Sequence, residues 1–377
     1  GAFMFDQLDM GAAFELSPVK NDDPLNGIST IDLILIQNHI LGKKILNSPY
    51  KIIAADLDGS KKITATDIVL LKKLILHMIS EIPGQNSWKF IDKNYQFPNP
   101  YNPWQEDFPV KFVDNHLMED KPTVDFIGIK MGDVNNNAVN KLSGENEVRT
   151  QHDIIPISFE DKAFKEGELV TCQLNLATPD QLTALQFSLD INTDKAELIR
   201  FDPDFRNNIS ENDLYYDINS KKLHFSWFKT EGAGFVEETN IVNLQFRALK
   251  EGNLSDLLKI CDKDNKPEAL TIGQDIKTPV LQAILPGSLT PKFTLFQNKP
   301  NPFSKNTVIS FNLPEPGNAI VRVMDVTGKV IYTTTQQYSQ GYQEVNIDSN
   351  QLSGPGVYIY SVETAKNTAM ARMILLQ

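Results

Sequence analysis

The sequence predicts a multidomain, mainly β chain, with a small α module of cation-binding loops followed by two β-sandwiches. Three observations predict it. Two acidic twelve-residue loops, each running into an apolar helical stretch, recur at an offset of 35 residues (Asp32 to Asp67). From residue 154 onward, short segments alternate apolar and polar residues between turn signals, the period of half-buried strands. The 20 Gly and 21 Pro in 377 residues favour many turns and short strands over long helices. A chain of this length holds about two to four domains.

Composition narrows the function classes. No run of 18 apolar residues occurs, so no transmembrane segment is expected. The net charge is −12 and nothing gathers Lys and Arg into a stripe, which argues against a nucleic-acid partner. The acid is uneven: residues 292–377 carry seven Lys/Arg against five Asp/Glu, so the excess sits in the body of the chain. Cys172 and Cys261 are too few for a disulfide framework. Cys172 alternates in phase with Val170, Leu174 and Leu176, as a buried thiol does; a single bridge is the alternative.

Residues 1–18 alternate around a Met10-Gly11 turn. They read as the last two strands of an upstream β-sandwich, in a style resembling small transthyretin-like modules. With no apolar signal region at the start, the chain is expected to be the C-terminal part of a longer product.

The second loop, Asp56 to Asp67, has the spacing of a calcium site. Asp56, Asp58 and Ser60 hold positions 1, 3 and 5. Lys62 offers its carbonyl at 7, Thr64 sits at 9 and Asp67 at 12, with apolar Ile63 at 8. Ca²⁺ takes six to eight oxygens, and alternate residues of a tight loop supply them. An acidic turn leading into a helix cap at Thr66 or Asp67 is the alternative. The first loop aligns without gaps: Asn21, Asp23, Gly27, Ser29 and Asp32 match positions 1, 3, 7, 9 and 12. Leu25 at position 5 brings no oxygen, so Asp22 or a backbone carbonyl would have to compensate. Position 12 is Asp in both loops, and Pro49 interrupts the approach to the second, so each unit is expected to be a loop plus its following helix. Two such units in tandem, over residues 19–80, resemble a dockerin. The resemblance implies bound Ca²⁺ and a cohesin partner met through loop positions 10 and 11. These are Thr30 and Ile31 in the first unit, Ala65 and Thr66 in the second. The two pairs differ, which argues against a symmetric two-way binding mode.

Both helical stretches are apolar nearly all round, so each must bury most of its surface. Residues 81–140 are rich in Pro, Asn and aromatics and read as a long segment wrapping a small core; sugar stacking on the aromatics is the alternative. Its end, 125–138, reads as a strand and turn closing the module, although Asp125, Asp133, Asn135 and Asn137 could also add oxygens to a calcium site. The module thus spans 19–140, and polar residues 139–150 read as a linker.

Residues 151–285 read as an all-β domain with strands near 154–159, 169–177, 182–192, 196–201, 222–228 and 241–249. In the third, Leu185, Phe187, Leu189 and Ile191 point one way. LTALQFSLDI and the late NLQFRAL resemble a cohesin-like sandwich, which implies either a receptor for a dockerin or a spacer. A second linker is expected at 286–292.

Residues 293–377 read as seven short strands with a Thr327-Gly328 hairpin turn. Phe296-Gln-Asn-Lys-Pro300-Asn301-Pro302-Phe303, Phe311 to Pro314 and Asp325 to Lys329 occur in order, followed by Gly341, Leu352, Gly356-Val-Tyr358 and Arg372 to Leu376. These resemble the C-terminal sorting domain of type IX secretion cargo in Bacteroidetes. The resemblance implies a translocon and an outer-membrane shuttle protein as partners, and a secreted or cell-surface product.

No GxSxG, HExxH or P-loop occurs. His39 and His77 end helices, and His224 is expected exposed or paired in a sheet. The chain is therefore expected to be non-catalytic, with calcium-stabilised structural or adhesive modules. The alternatives are the appendage of a secreted hydrolase or protease whose catalytic domain lies upstream, and a dockerin–cohesin assembly protein.

Overall fold

The computed structural model describes residues 3–5, 8–119, 123–139, 153–176, 181–204, 209–230, 239–262, 265–286 and 293–376. Apart from Val139 and Pro286, the two expected linkers lie outside the described residues, as does His152.

Three helices form the first region: α1 (Thr30–Ile40), α2 (Pro49–Ala55) and α3 (Ala65–Ile75). α1 and α3 begin with the same capping box. The Ser29 hydroxyl accepts from the Ile31 N–H while the Ser29 N–H donates to Asp32 at 3.0 Å; Thr64 and Asp67 repeat this at 2.7 Å. Loop position 12 is thus also the third residue of the helix. Pro49 does not interrupt the approach to the second loop but opens α2. A first-turn residue has no N–H to lose from the ladder, and proline's fixed φ suits it. The second loop is therefore flanked by helices on both sides.

Leu33, Ile36, Ile52, Ile53, Leu71, Leu74 and Ile75 make the core between the helices. The wrapping segment closes it with strand Trp88–Asp92 paired to Phe126–Lys130, after which Met131 and Val134 enter the core. Tyr50, Tyr95, Phe97 and Phe108 interlock edge to face beside it, so these rings pack the wrap. Of residues 1–18, only Phe14–Leu16 forms a strand among the described residues, and it pairs with Phe112–Asp114 of the wrap. The expected pair of strands from an upstream sandwich is in this respect one strand with a downstream partner.

The central region is a continuous hydrogen-bonded path of strands folded into two layers. In order these are Leu214–Asp217, Lys222–Phe228, Leu182–Ile191, Glu268–Thr271, Ile276–Ile284, Ile154–Glu160, Leu169–Leu176, Thr239–Ala248 and Ala196–Pro203, with Leu258–Cys261 beside Leu182–Ile191. Leu185, Phe187 and Leu189 do point one way, into the core with Phe159, Phe225, Trp227 and Phe246. Both cysteines are buried and no disulfide joins them; burial pushes the Cys172 thiol far up.

The last region is a two-layer sandwich. One sheet orders Thr294–Leu295, Asn306–Leu313 and Gly341–Asp348. The other orders Val330–Tyr338, Gly317–Asp325, Gly356–Glu363 and Thr368–Leu375. Phe311, Val321, Val323, Tyr360 and Met373 fill the space between them.

Candidate metal loop and docking face

The second loop brings three carboxylates together. One oxygen from each of Asp56, Asp58 and Asp67 lies within 4.8 Å of the others. Asp67 is fully buried and anchors the loop, accepting from the N–H groups of Leu57 (2.8 Å), Asp58 (3.2 Å) and Thr64. Asp58 accepts from the Ser60 N–H, and the Ser60 hydroxyl lies 3.2 Å from the Lys62 carbonyl. Asp56 is 1% exposed, yet its Oδ1 has no hydrogen-bond partner. Desolvation holds the Asp56 carboxyl above its ordinary range, while hydrogen bonds from Ser60 hold Asp58 below it. A buried, unpartnered carboxylate oxygen facing two further carboxylates fits a hard cation. Asp56, Asp58 and Asp67 would hold Ca²⁺, with the Ser60 and Lys62 oxygens beside them. The Thr64 hydroxyl instead caps α3, taking the Thr66 N–H.

The first loop is arranged differently. The Asn21 side-chain oxygen accepts the Ser87 N–H at 2.8 Å, and Asp32 accepts the N–H groups of Ser29 and Val134 at 3.0 Å each. Gly27 has φ +73° and sits against Ala138, whose backbone a Cβ would meet at 2.5 Å. Ser29 caps α1. Asp133 accepts the N–H groups of Asn136, Asn137 and Ala138, and Asn135 accepts from Asn137. These side chains are thereby tied into a turn that covers the first loop.

The four expected partner residues divide. Thr30 is 2% exposed: its N–H and hydroxyl both reach the Gln186 side-chain oxygen, at 2.7 and 2.8 Å, and its hydroxyl lies 2.8 Å from that of Ser226. Ile31 packs with Ile34 on Ala184, Leu270 and Phe228 of the central sandwich. Ala65 and Thr66 are exposed. The face so covered is the outer one of strands Leu182–Ile191 and Lys222–Phe228, where Gln186 pairs with Ser226 and Ser188 with His224. α3 adds the Lys72–Asp213 ion pair and the Ile75 carbonyl, which accepts from Asn265. The ring of His77 stacks on that of His224, centroids 4.3 Å apart. His224 is 1% exposed and hydrogen-bonded to Ser188, so the exposed alternative does not hold. Sequence reasoning missed Gln186, Ser226, His224, Asp213 and Asn265. Polar residues alternating with core residues look like a solvent face, and nothing local distinguishes a docked one.

The tail residues mostly hold their own domain together. Asn298, fully buried, donates to the Pro300 carbonyl and the Thr307 hydroxyl, while its N–H meets the Tyr360 hydroxyl. The peptide bonds before Pro300 and Pro302 are cis. Asn301 accepts the Ile374 N–H, and Phe303 bridges to Leu375 in the core. Gly328, at φ +87°, makes the turn that Asp325 closes; Gly341 and Gly356 also have positive φ. Tyr358 is buried with its hydroxyl on the Gly354 carbonyl, and Arg372 is exposed. Lys299 leaves the domain, reaching the Phe201 carbonyl (2.7 Å) and Asp202 (3.1 Å) of the central sandwich.

Among the described residues no helix is long and apolar enough to cross a membrane. Residues 300–376 match the family described as secretion system C-terminal sorting domain, and residues 25–76 the dockerin type I domain. A comparison with curated proteins gives no match. Similar solved structures include a type I cohesin–dockerin complex from Clostridium thermocellum: 16% identity, 36% of this chain, 94% of that one, TM-score 0.29. Another is a type II cohesin dyad from an adaptor scaffoldin of Acetivibrio cellulolyticus: 11% identity, 57% of this chain, 89% of that one, TM-score 0.26. The chain is thus mainly β and carries a dockerin type I segment, a central β-sandwich and a secretion-system C-terminal sorting segment, in that order.

Proposed function

We propose that this chain is a non-catalytic part of a secreted or cell-surface protein, exported across the outer membrane by a type IX system. Residues 293–377 are the export address, read by the translocon and its outer-membrane shuttle protein. The observation that carries this reading is the sorting-domain match over 300–376. The exposed edge strand Val330–Tyr338 and exposed Arg372 leave surface for recognition, since an open strand edge can be extended by a partner. The decisive experiment deletes 293–377 in the native host. Loss of the product from the cell surface and medium is the expected outcome; unchanged export would refute the reading.

The dockerin-like module serves assembly within the chain. Its first unit is seated on the central cohesin-like sandwich through Thr30, Ile31 and Ile34, so the two regions act as one block. Calcium at Asp56, Asp58 and Asp67 secures that block, because three carboxylates so close repel without a cation. A second reading, docking onto a partner chain, is favoured by the exposure of Ala65 and Thr66 on the second unit. A calcium-dependent pull-down of a separate cohesin-like domain that Thr66→Arg abolishes would support it. Binding unchanged by that substitution would count against it.

A further inference from the structure

The two repeated helices end in the same way. Each closes on a left-handed residue whose N–H returns to the carbonyl three residues back, while the next N–H reaches five back. In the first unit these are Gly42 to His39 and Lys43 to Asn38; in the second, His77 to Leu74 and Met78 to Lys73. Gly42, at φ +69°, is the residue type this position favours. Its counterpart 35 residues on is His77, at φ +57°. A β-carbon makes that conformation unfavourable, so the second unit keeps a strained residue where the first has a glycine. What the side chain meets accounts for it. The half-buried His77 ring stacks on His224 of the central sandwich, with centroids 4.3 Å and planes 22° apart. His224 is 1% exposed, and the Ser188 hydroxyl lies 2.8 Å from its Nδ1.

We propose that this pair is a proton-sensitive clasp: the helical module stays seated on the central sandwich while at most one of the two rings is charged, and lifts off when both are. Each ring alone has a reason to accept a proton. His77 follows the C-terminus of α3, where the helix dipole favours a cation. His224 shares its sheet face with Asp217 and Asp190, one step along on the two neighbouring strands. Both protons at once would set two positive rings face to face, in a contact where burial of His224 removes the water that weakens repulsion. The charged groups around the contact do not relieve this. Lys72 of α3 pairs with Asp213, Lys73 is exposed, and Lys222 pairs with Asp190 at 3.8 Å. Lys259 lies beside Asp190, Glu268 beside Gln186, and Tyr215 opposite His224. An ordinary carboxylate keeps its charge down to about pH 5, whereas an ordinary imidazole gains one by then. The docked state therefore holds fewer protons at the pair than the undocked one. Docking is at full strength above the ordinary imidazole range, near 6.5, and weakens as pH falls below it. The clasp needs only this seating; neither calcium at the second loop nor export by the tail enters it.

The test uses the full chain at one fixed, excess calcium concentration. Small-angle X-ray scattering from about pH 7.5 to about pH 5 reads the seating, and NMR of the imidazole protons reads the charge on each ring. The radius of gyration of the native chain should rise as pH falls, and charging of the second ring should coincide with that rise. His77→Phe keeps a ring that cannot charge. His77→Gly places the first unit's residue at a backbone position that suits it. Both variants should hold one radius across the whole range. If phenylalanine proves too strained to fold there, the glycine variant reads the same loss. A native radius that stays constant, or either variant expanding with the native midpoint, would overturn the clasp. So would both rings charged in a chain that has not expanded.

Discussion

The two loops start from one template and end in opposite environments. The first is roofed by the 133–139 turn, its Pro24 carbonyl accepts from the Lys130 ammonium, and its helix begins against the sandwich through Thr30. The second meets Gln85, which donates to the Asp56 and Leu57 carbonyls, and its helix begins in solvent at Ala65 and Thr66. The capping boxes of Ser29–Asp32 and Thr64–Asp67 are nearly superposable in logic. What differs is the neighbour: the central sandwich and the 133–139 turn beside the first loop, solvent and Gln85 beside the second.

The sharpest way to break that comparison is to remove calcium. An ion present at one hundred times its dissociation constant adds about 2.7 kcal/mol to the folded state. Chelation should therefore lower the melting temperature of the helical module by several degrees, and Asp56→Asn with Asp58→Asn should abolish the response. Calorimetry with and without chelator checks it. A chain indifferent to chelator would refute calcium at the second loop.

A paired substitution tests the docking foot. Thr30→Arg forces a long charged side chain into a face where Gln186 and Ser226 are 1% and 0% exposed. It should cost on the order of 2 kcal/mol or more, from overpacking and a buried unpaired charge. Thr66→Arg, the equivalent change in the second unit, should stay within about 0.5 kcal/mol, as exposed substitutions do. Hydrogen exchange at 184–188 should rise only in the first variant. Gln186→Leu is a gentler version. It strands the buried Thr30 N–H and should cost about 1–3 kcal/mol.

The pH response separates metal from proton. Asp56 is raised by burial, so in the metal-free fold its contribution is fully present below the unfolded value near 3.9 and is lost as pH rises through the folded one. Chelated protein should therefore show a destabilising Asp56 share of the pH slope on the way from acid toward neutral, absent in Asp56→Asn. With calcium the sign reverses, because the ion must displace that proton. Calcium affinity should fall as pH drops through the raised value. Titrations at three pH values in wild type and Asp56→Asn check both.

Much of this was legible in the sequence, and for identifiable reasons. The alternation of Leu185, Phe187 and Leu189 exposes the sandwich because a strand's inner face needs no knowledge of its neighbours. Spacing alone brought Asp56, Asp58 and Asp67 together, since twelve residues of tight loop leave little freedom. The docking face was not legible: Gln186, Ser188 and Ser226 carry the residue types of a wet surface, and only tertiary contact makes them interior. Lys130 was equally silent. Nothing local tells a lysine ending a five-residue strand that its partner carbonyl lies 106 residues away. Pro49 was misread because its sign depends on whether it falls at the first turn of a helix or inside one.

The smallest expected effect lies at the contact between the central sandwich and the tail. There Lys299 meets Asp202 and Glu211, while Arg200 meets Asp202, Glu344 and the Ser310 hydroxyl. Glu344 and Glu211 are too exposed for much gain, and pairs of that kind contribute at most about 1 kcal/mol. Asp202 is different, being 3% exposed and held by both cations. Lys299→Ala leaves Arg200 on Asp202 and should change stability by less than about 1 kcal/mol. Adding Arg200→Ala removes both of these cations from the buried carboxylate, and their coupling through Asp202 should show as an excess over the sum of the two single changes. A double-mutant cycle on thermal unfolding reads that excess directly. An additive result would mean that Lys299 and Arg200 act on Asp202 independently.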